Sequence, residues 1–293
     1  MVNAELEGRH FWTLGRKVAP ATTHQPGGWQ DLNCAFGTPV AANYVGAPLT
    51  ACQMKYSVQH SGLSHGPDVS PLFYEKYLKS WGMFSPSTTF APAWVVMCDY
   101  LLYYPGVDLT SLSEQVMVNN VALPRYADGD GVQIMAVMET VTDVATNTPF
   151  RVEYTASDGS TGNWTQVVTT FPTAGFGSIA TSSFQTLPVA PLTGAQCVGP
   201  FLPLAPGHSG VRAITKVQML GQDPGSVTLV LVKPLASAVV RDPAIPCEQT
   251  YFVDFPILPV IKDDAHLGMI YSATSQLVVT TTQLISYIET IWG

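Results

Sequence analysis

Short apolar segments separated by turn residues run from about residue 94 to residue 293, and this pattern constrains the fold more than any other feature of the sequence. The clearest example is Phe150-Arg151-Val152-Glu153-Tyr154-Thr155, in which apolar and polar residues alternate. Successive side chains of a β-strand point to opposite faces of a sheet, so the alternation predicts a strand with one solvated face. The Asp158-Gly159 pair that follows favours a tight turn into a second strand near Trp164.

A second hairpin is predicted further along the chain. The segment Val211–Leu220 alternates, Asp223-Pro224-Gly225 provides a turn, and Val227–Val232 is apolar. Further apolar stretches bring the total to roughly eight to ten strands, the number expected of a sandwich or jelly roll. Alternating helices are absent from the pattern, which disfavours a parallel α/β sheet. The sequence therefore predicts an all-β, mainly antiparallel sandwich or jelly-roll-like body at 94–293.

The first 93 residues differ from this body and are predicted to form an irregular N-terminal arm. Residues 1–67 are rich in Gly, Pro, Asn and Thr, and their aromatic residues show no helical or strand period. One short helix is predicted near 70–82, because Ser70 fits the N-cap, Pro71 the first helical position and Gly82 the C-terminal cap.

Composition limits the function classes. Only 12% of the residues are charged, which indicates a surface covered by a partner, and the 46% hydrophobic content excludes intrinsic disorder. The net charge of −8 disfavours nucleic acid as a partner. No apolar run is long enough to cross a bilayer, and the start of the chain is unlike a secretory signal. The five cysteines form no CxxC pair, so reduced thiols made in a cytosol are expected.

Two glycine-rich motifs resemble functional loops without matching them. Asp128-Gly129-Asp130-Gly131 invites a calcium interpretation, but the rest of an EF-hand loop is missing, which favours a tight turn over a metal site. Gly207-His208-Ser209-Gly210 lacks the second glycine of a nucleophile elbow and is interpreted as a loop turn. No cofactor is predicted.

Other polar groups offer weak catalytic candidates. Asp263, Asp264 and His266 could form an acid/base cluster, although adjacent strand residues would point to opposite faces unless a turn holds them. His60 and His65 are interpreted as ordinary loop residues, because their spacing does not suit a zinc pair. The sequence therefore predicts a protein that is not an enzyme.

Binding to another protein is the role that the arm favours. Trp and Arg dominate interface hot spots, and the arm has little periodic core of its own. The predicted interface residues are Trp12, Arg16, Lys17 and Trp29. The alternative is that the two tryptophans fold back onto the sheet.

A set of ordered motifs gives the chain a resemblance to a known family. These motifs are Tyr103-Tyr104-Pro105-Gly106, Leu123-Pro124-Arg125-Tyr126 before Asp128-Gly129-Asp130-Gly131-Val132, Gly199-Pro200-Phe201-Leu202-Pro203-Leu204 before Gly210-Val211-Arg212, Val232-Lys233-Pro234-Leu235-Ala236-Ser237, and Trp292-Gly293. Over about residues 100–293 the chain resembles structural proteins of tailed bacteriophages, and specifically capsid decoration or cement proteins.

The resemblance implies a virion component without catalytic residues. Such a protein is made in the host cytoplasm, sits on the outer capsid surface, binds the major capsid protein and ties neighbouring capsomers together, commonly as a homotrimer. Three alternatives stay open: a carbohydrate- or receptor-binding sandwich that uses an exposed aromatic such as Trp164, a sandwich hydrolase that brings Ser209 to Asp264 and His266, and the shell-forming capsid protein itself.

Overall fold

A computed structural model describes most of the chain. The described residues are 8–18, 27–56, 62–69, 74–86, 92–140, 148–170, 175–180, 199–242, 245–250, 258–273 and 283–293. They form these strands in chain order: β1 His10–Val18, β2 Trp29–Asp31, β3 Gly37–Thr38, β4 Cys52–Gln53, β5 Lys76–Phe84, β6 Ala93–Asp108, β7 Gln115–Val116, β8 Gln133–Met138, β9 Pro149–Ala156, β10 Asn163–Trp164, β11 Val168–Thr169, β12 Val211–Met219, β13 Ser226–Val240, β14 Cys247–Thr250, β15 Val260–Ile261, β16 Leu267–Ala273 and β17 Gln283–Trp292. The predicted all-β class is confirmed.

Three antiparallel sheets contain these strands. The central sheet has the order β2-β16-β6-β13-β8, with β4 on β6. The terminal sheet has the order β14-β5-β17-β1-β3, with β15 on β5. The distal sheet has the order β10-β9-β12-β7, with β11 on β9.

Two long strands of the central sheet join the other two sheets. β6 has 16 residues and β13 has 15. The two strands pair antiparallel, with Ala93 opposite Val240 at one end and Asp108 opposite Ser226 at the other, and the pairing contains three register shifts. The first half of β6 packs against the terminal sheet, where Val95 and Met97 share a hydrophobic core with Trp81. Its second half packs against the distal sheet, where Tyr104 belongs to the same core as Phe150 and Val152. The central sheet thus belongs to two sandwiches at once.

The second predicted hairpin is wrong in its pairing. β12 pairs with β9 and β7 in the distal sheet, whereas β13 pairs with β6 and β8 in the central sheet. The turn between β12 and β13 therefore carries the chain from one sheet to another. The first predicted hairpin is confirmed, because β10 pairs antiparallel with β9 through Asn163 and Tyr154.

The prediction of an irregular arm is wrong where residues 8–86 form strands of the sheets. β1 lies between β17 and β3, and β5 lies between β14 and β17, so both ends of the chain build the terminal sheet. β2 pairs with β16 in the central sheet. These segments have a core because C-terminal strands provide it, a long-range arrangement that local periodicity does not reveal.

The predicted helix near 70–82 is also wrong. Residues 76–82 belong to β5, and Gly82 pairs with Tyr287 in the middle of the sheet instead of capping a helix. Ser70 and Pro71 lie outside the described residues. In the described part of the chain, no helix is both long and apolar enough to cross a membrane. Cys34, Cys52, Cys98 and Cys247 are free thiols.

Candidate interaction face on the terminal sheet

The outer surface of β1 is unusually apolar for an exposed strand. Burial along β1 alternates, with His10, Trp12, Leu14 and Arg16 facing outward and Gly15 and Lys17 buried. Trp12 is 53% exposed and Leu14 is 66% exposed. Large apolar side chains exposed side by side on one strand are typical of an interaction surface.

Neighbouring strands extend this surface. Side chains directly opposite each other in a sheet share a face, and the register places Leu14 beside Tyr287 and Arg16 beside Ile285. Ile285 in turn lies beside Phe84 on β5. We call this surface the outer face and define it by Trp12, Leu14, Arg16, Tyr287, Ile285 and Phe84.

A glycine supports the aromatic layer at the centre of the outer face. Gly82 lies opposite Tyr287, and a Cβ at Gly82 would overlap the ring of Tyr287. That ring lies parallel to Trp12, with 5.0 Å between centroids and 8° between planes. Burial, reinforced by a hydrogen bond to Glu248, raises the pKa of Tyr287. Gly82 therefore leaves the space in which Tyr287 positions Trp12.

The structure separates the four predicted interface residues into two pairs. Trp12 and Arg16 are exposed on the outer face, and Arg16 Nε donates a hydrogen bond to Gln283 at 2.9 Å. Lys17 and Trp29 are buried at 3% and 6% exposure, so the structure does not present their side chains to a partner. Trp29 packs in the core of the central sheet, as the alternative expected.

Lys17 points into the molecule beneath the outer face. Its Nζ donates hydrogen bonds to the carbonyl oxygens of Ala35 at 3.1 Å and Val40 at 3.5 Å. Burial lowers the pKa of Lys17 to about 8, and the charge of Asp31 acts in the opposite direction. Its role is to fasten residues 35–40 to β1.

The candidate acid/base cluster belongs to a set of partly to fully buried charges that includes Lys76 on β5 and Asp99 on β6. A turn holds Asp263 and Asp264 together, because Ala265 N donates to the carbonyl of Lys262 at 3.1 Å. Lys76 lies 3.4 Å from Asp263, and Asp264 lies 3.7 Å from Lys55. Both carboxylates are thus neutralised by lysines of this chain.

Arg125 connects Asp264 to a deeper carboxylate. Its Nε and Nη2 donate to Asp99 at 2.8 and 2.7 Å, and its Nη1 lies 3.3 Å from Asp264. Asp99 also accepts a hydrogen bond from the backbone N of His266 at 2.9 Å. Burial raises the pKa of Asp99, and the bonds from Arg125 act in the opposite direction.

A buried histidine completes this set. His65 accepts from Lys76 Nζ at Nδ1 over 3.1 Å, and its Nε2 lies 3.0 Å from the carbonyl oxygen of Ala265. Burial, together with the charge of Lys76, lowers the pKa of His65 to about 4. We call these residues the polar network: His65, Lys76, Asp99, Arg125, Asp263 and Asp264.

Two open cavities of about 400 and 410 Å³ flank the 263–266 turn. Asp263 and Asp264 line the first and His266 lines the second. Ser209 lines neither of these cavities and hydrogen-bonds to Ser157 at 3.0 Å. The hydrolase alternative therefore lacks its assembled serine, carboxylate and histidine in the described residues.

Basic side chains hydrogen-bond to the backbone carbonyl oxygens of the glycine-rich 128–131 turn. Lys233 Nζ donates to the carbonyl oxygen of Asp130 at 2.6 Å, and Arg212 Nε donates to that of Asp128 at 3.0 Å. A calcium ion would need such oxygens for itself. Within the described ranges, no group of three or more His, Cys, Asp or Glu could hold a metal.

Trp164 is partly covered by its own chain. The guanidinium carbon of Arg151 lies 4.2 Å from the centroid of its ring. This contact occupies one ring face that a sugar would stack on. His60 lies outside the described residues; His65 lies in a loop, as expected, but its side chain is buried.

Sequence reasoning missed Leu14, Phe84, Ile285 and Tyr287. The available signal was the alternation of His10, Trp12, Leu14 and Arg16 along β1, which has strand period but an apolar outer side. The polar network was missed as well, except for Asp263 and Asp264, because its members are far apart in sequence.

Comparison with known proteins gives no family. No protein-family model and no curated protein matches the chain. One solved structure found by comparison, "Structure of infectious bursal disease virus Gt strain", is 8% identical over 97% of this chain and 81% of that chain, with a TM-score of 0.16. A TM-score this low carries no argument about fold or function.

Proposed function

We propose that this protein is a virion structural subunit of the capsid decoration or cement type, located on the capsid surface, and that it is not an enzyme. The observation that carries the proposal is the outer face, where Trp12 and Leu14 stand exposed beside Tyr287. An apolar surface with aromatic and arginine side chains is typical of a protein interface.

Two features of the sequence support a capsid as the partner. The chain resembles phage decoration proteins over about residues 100–293, and only 12% of its residues are charged. A subunit packed between neighbours buries much of its surface, and the buried part does not need charged residues to keep the protein soluble. The partners proposed are the major capsid protein and further copies of this chain.

Capsid binding tests the proposal directly. The full chain is mixed with undecorated capsids of the virus that encodes it, and the bound fraction is measured by sedimentation. Trp12→Ala and Leu14→Ala are each expected to weaken binding about tenfold or more, as interface anchors do. Electron cryomicroscopy of the decorated particle would then place the terminal sheet against the shell.

Trp94→Ala is the matched control. Trp94 is 54% exposed, almost the same as Trp12, but it lies on β6 in the central sheet. We expect its substitution to leave capsid binding unchanged. If wild-type protein fails to bind capsids but binds glycans, the proposal is wrong and a receptor-binding role takes its place. If the protein alone forms the shell, the particle stoichiometry will reveal it.

A further inference from the structure

In the described part of the chain, one edge of β1 is left unpaired over residues 10–14 by the other strands of the terminal sheet. On one side β1 pairs with β17 along its whole length, from His10 to Val18. On the other side β3 pairs only with Arg16 and Lys17. Among the described residues, no backbone hydrogen bond reaches residues 10–14 from the β3 side.

The direction of the backbone groups follows from two hydrogen bonds. Val18 N donates to the carbonyl of Phe36 on the β3 side, and Trp292 N donates to the carbonyl of Arg9 on the β17 side. In an antiparallel ladder, alternate residues bond to alternate neighbours. The backbone groups of even-numbered residues of β1 therefore point toward the β3 side. The N–H and C=O groups of Trp12 and Leu14 thus point away from β17, in the plane of the sheet, at its unpaired edge.

The segment 10–14 lacks the proline, the lysine and the bulge that protect many edge strands. Natural edges are blocked by proline, lysine or a bulge, and the run His10-Phe11-Trp12-Thr13-Leu14 contains no proline and no lysine. Its pairing with β17 is regular from end to end. The ring of Trp12 stacks on Tyr287 of β17, so it leans away from the edge.

We infer that the 10–14 edge of β1 pairs antiparallel with the same edge of a second copy, which joins two terminal sheets into one continuous sheet. β3 limits the pairing, because Arg16 is already bonded to Thr38. Within residues 10–14 the longest two-fold register places Trp12 opposite Trp12 and His10 opposite Leu14 of the second copy. Only the opposing pairs of even-numbered residues are then hydrogen-bonded, because their N–H and C=O groups point toward the second copy, and each outward N–H meets an outward C=O.

Charge is compatible with this register. Two like charges that lie directly across from each other destabilise a strand pair. Residues 10–14 contain no lysine, arginine, aspartate or glutamate, so no such pair forms within them. The flanking arginines are also separated, because Arg9 faces Gly15 and Arg16 faces Gly8 of the second copy. Five residues of strand make a small interface, so the pairing should depend on protein concentration.

This inference does not depend on capsid binding. It requires only a second copy, and it predicts a dimer where the resemblance to decoration proteins implies a trimer. The mass of the full-length protein in solution therefore distinguishes the two. Sedimentation equilibrium over a wide concentration range should show a monomer–dimer equilibrium; a protein that stays monomeric or forms a trimer would overturn the inference.

Leu14→Pro tests the open edge. Proline removes the N–H that points outward while leaving the β17 side of the ladder intact, and an edge strand accepts it for that reason. We expect dimer affinity to fall about tenfold or more. Leu14→Ala is the control, because it shortens the side chain but keeps the N–H, and we expect a much smaller loss. Equal losses for both variants would contradict strand pairing.

Disulfide trapping tests the register. Cysteines in a hydrogen-bonded pair lie about 5.5 Å apart at Cα, within the range that a disulfide spans. The double variant His10→Cys/Leu14→Cys keeps Trp12 and should form dimers linked between the two new cysteines, identified by mass spectrometry of the linked peptides. Leu14→Cys alone should not cross-link, since its two copies lie about 13 Å apart along the strand. A disulfide between the two introduced thiols of the single variant would refute this register.

Discussion

The outer face and the polar network invert the usual relation between surface and interior. Trp12 and Leu14 are 53% and 66% exposed, although water penalises exposed apolar groups. The side chains of Arg125 and Asp99 are 3% and 0% exposed, although burial penalises charge. One region keeps apolar groups in water and the other keeps charges out of it.

The two regions differ in what compensates the penalty. In the polar network each charge finds a partner inside the chain, such as Asp99 for Arg125 or Asp263 for Lys76. On the outer face the described residues offer Trp12 only one ring contact, with Tyr287. The charges of the polar network are therefore paired within the monomer, whereas the proposed function requires a partner to cover the outer face. Substitutions in the network should therefore affect folding, and those on the face should affect binding.

Arg125→Ala should have the largest effect. It leaves the Asp99 carboxylate buried without its bidentate partner, and breaking a buried ion pair costs about 3–5 kcal/mol. The free energy of unfolding from urea titration measures this loss.

Arg16→Ala is the matched control, because Arg16 is exposed and makes a single hydrogen bond to Gln283. Its cost should stay below about 0.5 kcal/mol. A similar cost for both variants would contradict the claim that burial of the pair governs its importance.

Whether apolar or polar residues occupy the buried positions of a strand explains which strands could be predicted from the sequence. The hairpin at β9 was predictable because apolar residues occupy its buried positions, with Phe150, Val152 and Tyr154 inside. The strand β5 was mistaken for a helix because two of its alternate buried positions hold Lys76 and Ser80, which hides the strand period.

β1 was mistaken for an irregular segment for the opposite reason. Its apolar residues Trp12 and Leu14 face outward, and its buried positions include Gly15 and Lys17. Hydrophobic periodicity assumes that apolar side chains are buried, so it fails for a strand such as β1, whose large apolar side chains face outward. Of the site, Trp12 and Arg16 could be found from residue type alone, but their neighbours across the sheet could not.

Acidification should weaken the polar network at His65. Burial lowers the pKa of His65 to about 4 from an ordinary value of 6.5, so on acidification the unfolded chain takes up this proton first. The free energy of unfolding should therefore fall as pH decreases from about 6.5 to 4, by up to about 3 kcal/mol from this group.

His65→Gln isolates that contribution. The amide cannot be protonated in this range but can still hydrogen-bond to Lys76 and the Ala265 carbonyl. Chemical denaturation at several pH values should show a shallower decrease for the variant than for wild type between pH 6.5 and 4. Parallel curves for the two proteins would exclude His65 as the cause.

Gly82→Ala should disturb the outer face from below. Its new Cβ would overlap the ring of Tyr287, and overpacking of this kind costs about 1–2 kcal/mol. Displacing Tyr287 also removes the ring that positions Trp12, so capsid binding should weaken. In a Tyr287→Ala background the same change should cost almost nothing in thermal unfolding. A cost that persists there would show that Gly82 matters for its backbone instead.

Trp12→Ala should have the smallest effect on folding. The side chain is half exposed, and its removal loses one stacked pair, worth about 0.5–1.5 kcal/mol at most. The same substitution is expected to reduce capsid binding about tenfold or more, so one variant separates the two quantities. Thermal unfolding and capsid sedimentation on the same preparation provide the measurement. If Trp12→Ala destabilised the monomer as strongly as Arg125→Ala does, the outer face would be a structural element of the monomer and its proposed partner would be unnecessary.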